Sequence, residues 1–476
     1  MPSPSRRVRP PTRLGFMPIL LGNLLPLVGV LAFGWDPATL VVIYALELLF
    51  TLPLAGAKAL FAQQPPQTDR DDDASVISVS DGLIQKRGSV DVVPWLPPVY
   101  PRNLPFATAV VGAAAWFVII VGVVLGNLFD VAAILAQPEV LVSVFGLIVG
   151  QSVETWREYR RGGYETASPY TVIETPARQT FFLAFVLFTT PGITVVGVEI
   201  VLGIVVLAKL LIEWSAYRAT QGGGGRLAKW LAGPHPSERE REQVELPDGD
   251  PDVRVPTNTR AVLYTGVFHV VGRLAPFYVM LFIFVWFLLL ILFESEEPST
   301  VVALASGVVV FAVFVGLVVG KIGMFYLRYG PLEYRRYGDR LVAYDTLLAA
   351  PQWSSSIDVL RNVEVVPDRL PDRLFDTRTI AVTTGWDDDD SNRHLGPVSD
   401  PDTLIEAFEL PVRTTKLEPL DRRPAAVVIA CLIGIVGTVV LLAIGPWISA
   451  GEVLFGALVY GVFGIPAVAF GLRLAA

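Results

Sequence analysis

The sequence contains few of the residues from which catalytic and metal sites are usually built. It has one cysteine, Cys431, and three histidines, His235, His269 and His394, which lie far apart. A single cysteine allows neither an internal disulfide nor a thiolate metal site. The chain also lacks a zinc-protease pair, a nucleophile elbow, a phosphate loop and a dinucleotide fingerprint. We therefore predict no catalytic residue, no cofactor and no metal site, and a protein that is not an enzyme.

Charged residues are scarce too. They make up 17% of the chain, whereas hydrophobic residues make up 53%, and the mean hydropathy is +0.54. Soluble domains reach about half apolar only when glycine is counted. Long apolar runs recur, and about 20 consecutive apolar residues are what a transmembrane helix needs. The composition argues against a soluble globular protein and predicts a membrane protein with several spans.

Lysine is the rarest charged residue, with six among 37 basic side chains, and the net charge is −8. Acidic runs occur at 69–73 and at Asp387–Asp390. An acidic, lysine-poor surface is typical of halophilic proteins, because high salt screens its self-repulsion. We expect a halophilic archaeon as the source, with a GC-rich genome that favours arginine codons as the alternative. No nucleic-acid partner is expected.

The apolar runs predict about ten transmembrane helices. Asp36 is a good N-cap residue, and Pro37 suits the first position of the second helix. The fifth run has only about 13 residues, too few to cross a core of about 30 Å without tilt. A tilted or re-entrant hairpin is expected there, and fusion with the sixth run is the alternative. The ten predicted spans are 14–33, 38–61, 106–135, 139–156, 178–190, 193–214, 274–293, 299–326, 424–448 and 453–474.

All 37 basic side chains can be placed on one side of this membrane. Short cytoplasmic loops carry the excess of Lys and Arg, so the pattern predicts orientation as well as span number. Both termini and all the soluble mass are then cytoplasmic, in a multi-pass protein of the cell membrane. The connections without Lys or Arg, which would face outward, are 34–37, 136–138, 191–192, 294–298 and 449–451.

Two shorter segments have expected conformations of their own. We expect an interfacial helix at 260–272, with a longer, kinked helix as the alternative. The Pro-rich segment 94–101 should be extended.

The pattern divides the chain into five parts. The parts are an N-terminal membrane domain of about six spans at 14–217, which contains the cytoplasmic loop 62–105; a linker at 218–259; the interfacial segment with two spans at 260–327; a β-rich cytoplasmic domain at 328–423; and a two-span hairpin at 424–474.

The β-rich part shows period-two alternation instead of long apolar runs. Strands are predicted at 341–344, 353–359, 363–366 and 379–383. Asp400-Pro401 then caps a short helix at 402–408 whose apolar stripe is Leu404, Ile405 and Phe408. These elements predict a small barrel or sandwich with a helix plugging one end.

The β-rich part resembles the bacterial PH-like domain of multi-span membrane proteins. The resemblance rests on Tyr337-Gly338-Asp339-Arg340-Leu341-Val342, on the strands that follow, and on Val398-Ser399-Asp400-Pro401 before a helix. It implies a PH-type barrel and does not imply phosphoinositide binding. The region is net acidic, whereas capture of anionic headgroups needs clustered Lys and Arg. We therefore favour a protein partner over a lipid headgroup.

The N-terminal half resembles an uncharacterised multi-span family that is common in haloarchaea. The resemblance covers about 14–217 and rests on Gly22-Asn23-Leu24-Leu25-Pro26, on Phe33-Gly34-Trp35-Asp36, on Tyr44 and Glu47, and on Lys86-Arg87-Gly88. The family usually has an aromatic residue after the tyrosine, where this chain has Ala45. The resemblance implies topology but no activity.

Ionisable residues inside the membrane are the default candidates for a functional site. Glu47, Asn127, Asp130 and Glu199 fall at similar depth in the outer half of the predicted spans. No Lys or Arg is expected there, so a buried carboxylate would be protonated or hydrogen-bonded. The residues could form a proton or cation site, or they could be structural hydrogen bonds between helices. We favour the structural interpretation.

Two functions follow from the sequence. The first is a scaffold or interaction protein that presents the PH-like module to the cytoplasm and binds a protein through that module or through the segment 94–101. The second is a proton- or cation-coupled transporter of small solutes that uses Glu47 and Glu199. A membrane enzyme with an unrecognised site is the third and weakest interpretation.

Overall fold

The chain divides into two compact units in a computed structural model. The helical unit comprises 1–84 and 91–241, and the β-unit comprises 85–90 and 242–476. The structure describes 36–66, 82–128, 130–189, 206–212, 246–270, 300–366, 370–384, 391–412 and 414–417, together with isolated residues between these ranges. The predicted first, seventh, ninth and tenth spans lie almost wholly outside the described residues.

The helical unit is built around α1 (Pro37–Leu60), which packs against several other helices. Asp36 caps α1 by accepting a hydrogen bond from the Ala38 N–H, and Pro37 occupies the first turn, which confirms the predicted start. Further helices are α2 (Leu104–Leu128), α3 (Val131–Leu135), α4 (Pro138–Arg160), α5 (Gly163–Thr166) and α6 (Pro169–Thr189), with short 3-10 turns at Gly82–Gln85 and Pro101–Asn103, and residues 206–212 are also helical.

Two predicted spans of this unit have different bounds in the structure. The run 106–135 is not one helix, because α2 ends at Leu128 and α3 begins after Asp130. The short fifth run is part of α6, a helix of 21 residues that begins at Pro169. At 1.5 Å per residue α6 is about 30 Å long. It extends into the predicted loop because Glu174 and Arg178, one turn apart, form a buried ion pair.

Apolar side chains of α1 form the core of the helical unit. Near the N-terminal end of α1, Leu40 and Ile43 are buried in a cluster with Phe117 of α2 and Val140 of α4. Near its C-terminal end, a second cluster joins α1 to α2 and α6 through Leu52, Ala59, Phe106, Val110 and Ile173. Since α1 is buried on several faces, its apolar composition serves helix packing as well as any contact with lipid.

Two of the described helices are long and apolar enough to cross a bilayer. They are Ala38–Leu60 within α1 and Ala312–Tyr329 within α8 (Thr300–Tyr329). The first is largely buried among its neighbours, whereas 6% of the second is buried. Length and hydropathy of these helices give the chain the elements for membrane association.

The β-unit consists of two antiparallel sheets and a closing helix. One sheet has the order β1-β2-β3-β4 and the other β5-β6-β7. The strands are β1 (Val253–Pro256), β2 (Leu332–Tyr337), β3 (Arg340–Asp345), β4 (Ala350–Ser356), β5 (Arg361–Val365), β6 (Arg378–Thr384) and β7 (Ser391–Val398); the helices are α7 (Thr259–His269), α8, α9 (Leu370–Leu374) and α10 (Pro401–Ala407), with a 3-10 turn at Ile357–Val359.

The core of the β-unit lies between the sheets and under α10. Tyr334, Leu341, Ile380 and Leu395 are fully buried there, with Leu404 and Phe408 from the helical end. The Tyr334 hydroxyl joins the two sheets, because it donates to the His394 carbonyl at 3.2 Å and accepts from the Gly396 N–H at 2.9 Å. Gly396 has φ +121°, and a Cβ there would lie 2.6 Å from the Arg378 carbonyl oxygen, so only glycine fits.

Three predicted strands and the capped helix are confirmed as β3, β5, β6 and α10. The predicted strand 353–359 is confirmed in part, because β4 ends at Ser356 and a 3-10 turn follows at Ile357–Val359. Three strands were not predicted. In β2 and β7, charged and polar residues obscure the alternation of apolar and polar positions, and β1 is only four residues long. β1 lies in the predicted linker 218–259 and pairs with β2 from Val253 opposite Arg336. The β-unit therefore begins before α7 and α8, and both helices are inserted between its first two strands.

The predicted interfacial segment 260–272 contains α7. Asn258 caps this helix by accepting from the Ala261 N–H at 3.0 Å. α7 packs against α8, where a Cβ on Gly266 would lie 3.0 Å from the Phe325 ring. This close packing places α7 against protein along that face.

Candidate functional site

A stripe of polar side chains runs along α1 in the helical unit. Glu47, Thr51 and Lys58 recur at helical spacing and so share one face. The Gln151 amide of α4 donates to the Thr51 hydroxyl at 3.2 Å, and that hydroxyl donates to the Glu47 carbonyl at 2.8 Å. Further along the same pair of helices, the Thr39 hydroxyl donates to the Gln137 side chain at 3.1 Å. Two threonine hydroxyls of α1 thus bond to side chains at the start of α4 and within it.

Glu47 forms an ion pair with Lys209 of the helical segment 206–212. The Glu47 side chain is 16% exposed and the Lys209 side chain 8%. The Lys209 ammonium also lies 4.1 Å from the centre of the Tyr44 ring, a favourable cation–π distance. The prediction that no basic side chain reaches Glu47 is wrong, because the long lysine stem carries its ammonium along the helix to the carboxylate.

A cavity of about 200 Å³ lies beside the polar stripe, between α1, α4 and α6. Lys58 and Glu158 form an ion pair of 2.6 Å at its edge, and Glu154 adds a second carboxylate. Apolar surface comes from Leu54, Ala55, Val172 and Pro176. The arrangement offers carboxylate, amide and hydroxyl groups against an apolar wall, which suits a small cationic or zwitterionic solute.

Of the other three predicted candidates, Asp130 has a described side chain, and its role is local. Asp130 is exposed, and its carboxylate accepts from the Ala133 N–H at 3.0 Å, so it caps α3. Asn127 lies in the last turn of α2, and Glu199 lies outside the described residues. Among the candidates whose side chains the structure describes, Glu47 has a charged partner and Asp130 caps a helix.

The β-unit contains a second buried ionic site, which the sequence did not single out as functional. The Lys86 ammonium lies 2.5 Å from a carboxylate oxygen of Asp345, at the end of β3. It also donates to the carbonyls of Leu327 and Arg328, in the last turn of α8, at 2.6 and 3.0 Å. The Lys86 side chain is 5% exposed and the Asp345 side chain 0%. Three separate segments of the chain therefore meet at one ammonium group.

Burial lowers the pKa of Lys86 below the ordinary lysine value, and the nearby Asp345 carboxylate opposes this by raising it. Asp345 is held in turn by the N–H groups of Leu347 and Leu348, both at 2.8 Å from its other oxygen. The carbonyls at the end of α8 also favour a cation, since they form the negative end of the helix dipole. The site is organised around a positive charge.

The residues after Lys86 are held through their backbone. The Arg87 N–H donates to the Gln352 side-chain oxygen at 2.8 Å, and the Gln352 amide donates back to the Arg87 carbonyl at 3.0 Å. Gly88 has φ +100°, and a Cβ there would lie 2.8 Å from the Leu348 Cβ. The sequence places Lys86 in a predicted cytoplasmic loop. Two features of the sequence could have identified it as a residue with a specific role: it is one of only six lysines, and it belongs to the Lys86-Arg87-Gly88 string.

Thr257 forms further hydrogen bonds with the chain at the end of α8. Its hydroxyl lies 2.7 Å from the Gly330 carbonyl and donates to it, and its N–H donates to the Leu332 carbonyl at 3.1 Å. Together with Lys86, it binds the last carbonyls of α8 and the start of β2. The last turn of this apolar helix is thereby part of the β-unit.

The Pro-rich segment 94–101 is not fully extended. The Leu96 N–H donates to the Val93 carbonyl at 3.0 Å, which closes a turn. Trp95 is 67% exposed, and its ring contacts Trp156 with a centre-to-centre distance of 5.8 Å. Tyr100, in contrast, is buried. The exposed part of the segment is its tryptophan turn.

Comparison with known protein families finds a match to the N-terminal half. Residues 5–221 match the model of a family of unknown function, DUF6498. The match confirms that the N-terminal half resembles a family without an assigned activity. No curated protein and no solved structure matches the chain.

Proposed function

We propose that this protein is a multi-span scaffold of the cell membrane, with about ten transmembrane helices, that presents a PH-like β-domain to the cytoplasm for protein interaction. The observation that carries the proposal is the junction between α8 and the β-unit. A helix long and apolar enough to cross a bilayer ends in carbonyls bound by Lys86 and Thr257. Such a junction holds the β-domain at a fixed orientation relative to the helix.

The arrangement of the β-unit supports the PH-like part of the proposal. Four strands in one sheet, three in the other and a C-terminal helix packed on the core are the elements of a PH-type fold. The exposed Trp95 of the segment 94–101 is a further surface for a protein partner. Aromatic residues of this kind are enriched in protein interfaces.

Affinity capture from gently solubilised source membranes tests the scaffold proposal. The full chain should retain a cytoplasmic protein at about one copy per chain. Leu404→Asp, which buries a charge in the β-unit core, should lose that partner, and Lys58→Met in the helical unit, where the ion pair is more exposed, should keep it. Absence of any stoichiometric partner, or its equal retention by both variants, would contradict the proposal.

The alternative is a proton- or cation-coupled transporter of small solutes. The observation in its favour is the cavity of about 200 Å³ between α1, α4 and α6, lined by Lys58, Glu154 and Glu158. Glu47 is less available for this role than the sequence predicts, because its carboxylate is paired with the Lys209 ammonium.

Flux measurements in proteoliposomes test the alternative. Proton and sodium flux of the wild type would be compared with Glu47→Gln, Glu199→Gln and Glu154→Gln. Transport through the cavity predicts loss of flux in Glu154→Gln. If the wild type carries no flux above that of protein-free vesicles, the transporter interpretation is wrong.

A further inference from the structure

Six residues of the β-unit come from a distant part of the chain. Residues 85–90 belong to the β-unit, although the chain before and after them belongs to the helical unit. This short segment makes contacts that depend on the identity of its residues. It is bound through a buried ammonium, through backbone groups and through a position that tolerates no Cβ.

We propose that the pocket formed by Asp345 and the last carbonyls of α8 is a recognition site for lysine-containing peptides, which this chain fills with its own Lys86-Arg87-Gly88. The ligand class is an extended peptide with Lys two residues before Gly. The proposal rests on the proposed function in one respect, since it takes the β-domain as an interaction module. It names the kind of segment that the module binds.

The pocket selects a primary ammonium. Asp345 is fully buried, and its side chain has two backbone N–H groups on one oxygen and Lys86 on the other. The carbonyls of Leu327 and Arg328 supply the remaining acceptors. An ammonium has three donors, which matches these three acceptor groups, whereas a neutral side chain would leave the carboxylate buried and unpaired.

The following residues are selected by backbone geometry. Gln352 binds both the N–H and the carbonyl of Arg87, as a neighbouring strand would. Gly88 adopts φ +100° in contact with Leu348, so a side chain there is excluded both by conformation and by space. Together, these contacts recognise a motif of three residues: a lysine, any residue that offers its backbone groups, and a glycine.

Exchange of the segment is physically feasible. A buried ion pair adds little net stability, because the loss of hydration of both charges offsets their attraction, yet removal of one partner is costly. The ion pair itself therefore adds little to the binding of the chain's own segment, whereas a segment without lysine would leave the buried Asp345 carboxylate without a cation. A second peptide with the same groups can compete for the pocket.

Peptide binding to the purified full chain in detergent tests the proposal. The probe is the fluorescent peptide Gln-Lys-Arg-Gly-Ser-Val, the sequence of residues 85–90. The Lys86→Ala variant should bind it at least about tenfold more tightly than the wild type, since its own ammonium is gone. A peptide with norleucine in place of lysine, and one with alanine in place of glycine, should each bind at least about tenfold more weakly. The double variant Lys86→Ala/Asp345→Asn should lose the preference for lysine.

Two further measurements cover the case in which Lys86→Ala does not fold. Gly88→Ala should displace the chain's own segment while leaving Asp345 in place, and it should show the same peptide preference. In the wild type, excess peptide should accelerate hydrogen exchange at the amides of 86–90, and the norleucine peptide should not. The proposal is overturned if no folded form distinguishes the lysine peptide from the norleucine peptide. Neither measurement needs a cellular partner. The peptide-recognition proposal can therefore fail or succeed independently of the scaffold proposal.

Discussion

At the scale of single residues, buried charges were the least predictable part of this protein. Glu47 was expected to lack a basic partner and pairs with Lys209, which is 162 positions away. Lys86 pairs with Asp345 across an even larger gap in sequence. Charge and hydropathy identify such residues, but the partner depends on how separate segments pack. Asp130 shows the opposite case, because its role as a helix cap is local.

The Glu47–Lys209 pair gives a prediction about stability. Lys209→Met leaves a carboxylate without its partner in a poorly hydrated site, so the free energy of unfolding should fall by about 3 kcal/mol or more. The double variant Glu47→Gln/Lys209→Met should recover most of this loss. Unfolding in mixed detergent micelles measures both effects.

The matched control is Lys58→Met. Its ion pair with Glu158 is more exposed, with 23% and 50% of the two side chains accessible, and should contribute about 1 kcal/mol or less. If both variants lose the same free energy of unfolding, burial does not explain the contribution of the Glu47–Lys209 pair.

Asp400 gives a prediction about acid stability. Hydrogen bonds from the Thr403 hydroxyl and from the Thr403 N–H lower the pKa of this carboxyl below its ordinary value. A group with a lowered folded-state pKa stabilises the fold above its unfolded-state pKa, and this contribution is lost as the pH falls through the folded-state pKa. The β-unit should therefore lose stability below about pH 4.

The measurement is the thermal unfolding of the β-unit between neutral pH and pH 2. Asp400→Asn keeps a capping side chain that does not titrate, so its acid-dependent loss should be smaller than in the wild type. Asp402→Asn leaves both Thr403 hydrogen bonds in place and should retain the wild-type profile. An unchanged profile in Asp400→Asn would assign the acid sensitivity to other carboxyls.

At the scale of elements, local patterns predicted those with a clear period or cap. α1 and α10 begin at Asp-Pro pairs, as expected. Strands β3 to β6 were also recognised. The errors occurred where tertiary contacts override a local pattern. α6 continues through charged residues because two of them pair with each other, and β1 is a strand because β2 lies beside it.

The link between the two sheets gives the prediction at this scale. Tyr334→Phe removes a buried hydroxyl that bonds to the His394 carbonyl and the Gly396 N–H. Since both backbone groups lose a partner, the β-unit should be destabilised by about 1–3 kcal/mol. Hydrogen exchange of the β7 amides in the full chain measures the loss.

The control for this change is Tyr344→Phe on the neighbouring strand. Tyr344 is half-buried, and its ring lies under the Arg335 guanidinium at 3.6 Å, a contact that phenylalanine preserves in form. Its effect on β7 exchange should be small. If the two variants behave alike, the hydroxyl of Tyr334 does not hold the sheets together.

At the scale of the whole molecule, the one-sided distribution of Lys and Arg remains the basis for topology. The prediction is that the connection 34–37 faces outward and the segment 215–259 faces the cytoplasm. In a Cys431→Ala background, a membrane-impermeant maleimide should label Trp35→Cys in intact cells. It should label Ser237→Cys only after permeabilisation. Labelling in the reverse order would show that the orientation is inverted, and labelling of both in intact cells would contradict a cytoplasmic segment 215–259.

The sequence by itself determined the properties that depend on composition and local spacing. These are the apolar character of the chain, the absence of familiar catalytic motifs, the caps of α1 and α10 and the alternation of β3 to β6. Tertiary structure alone decided which distant segments meet: Glu47 with Lys209, β1 with β2, and Lys86 with Asp345 at the end of α8. The physical reason is range, since a cap or a period acts over a few residues, whereas a buried charge takes its partner from whichever segment packing brings within reach.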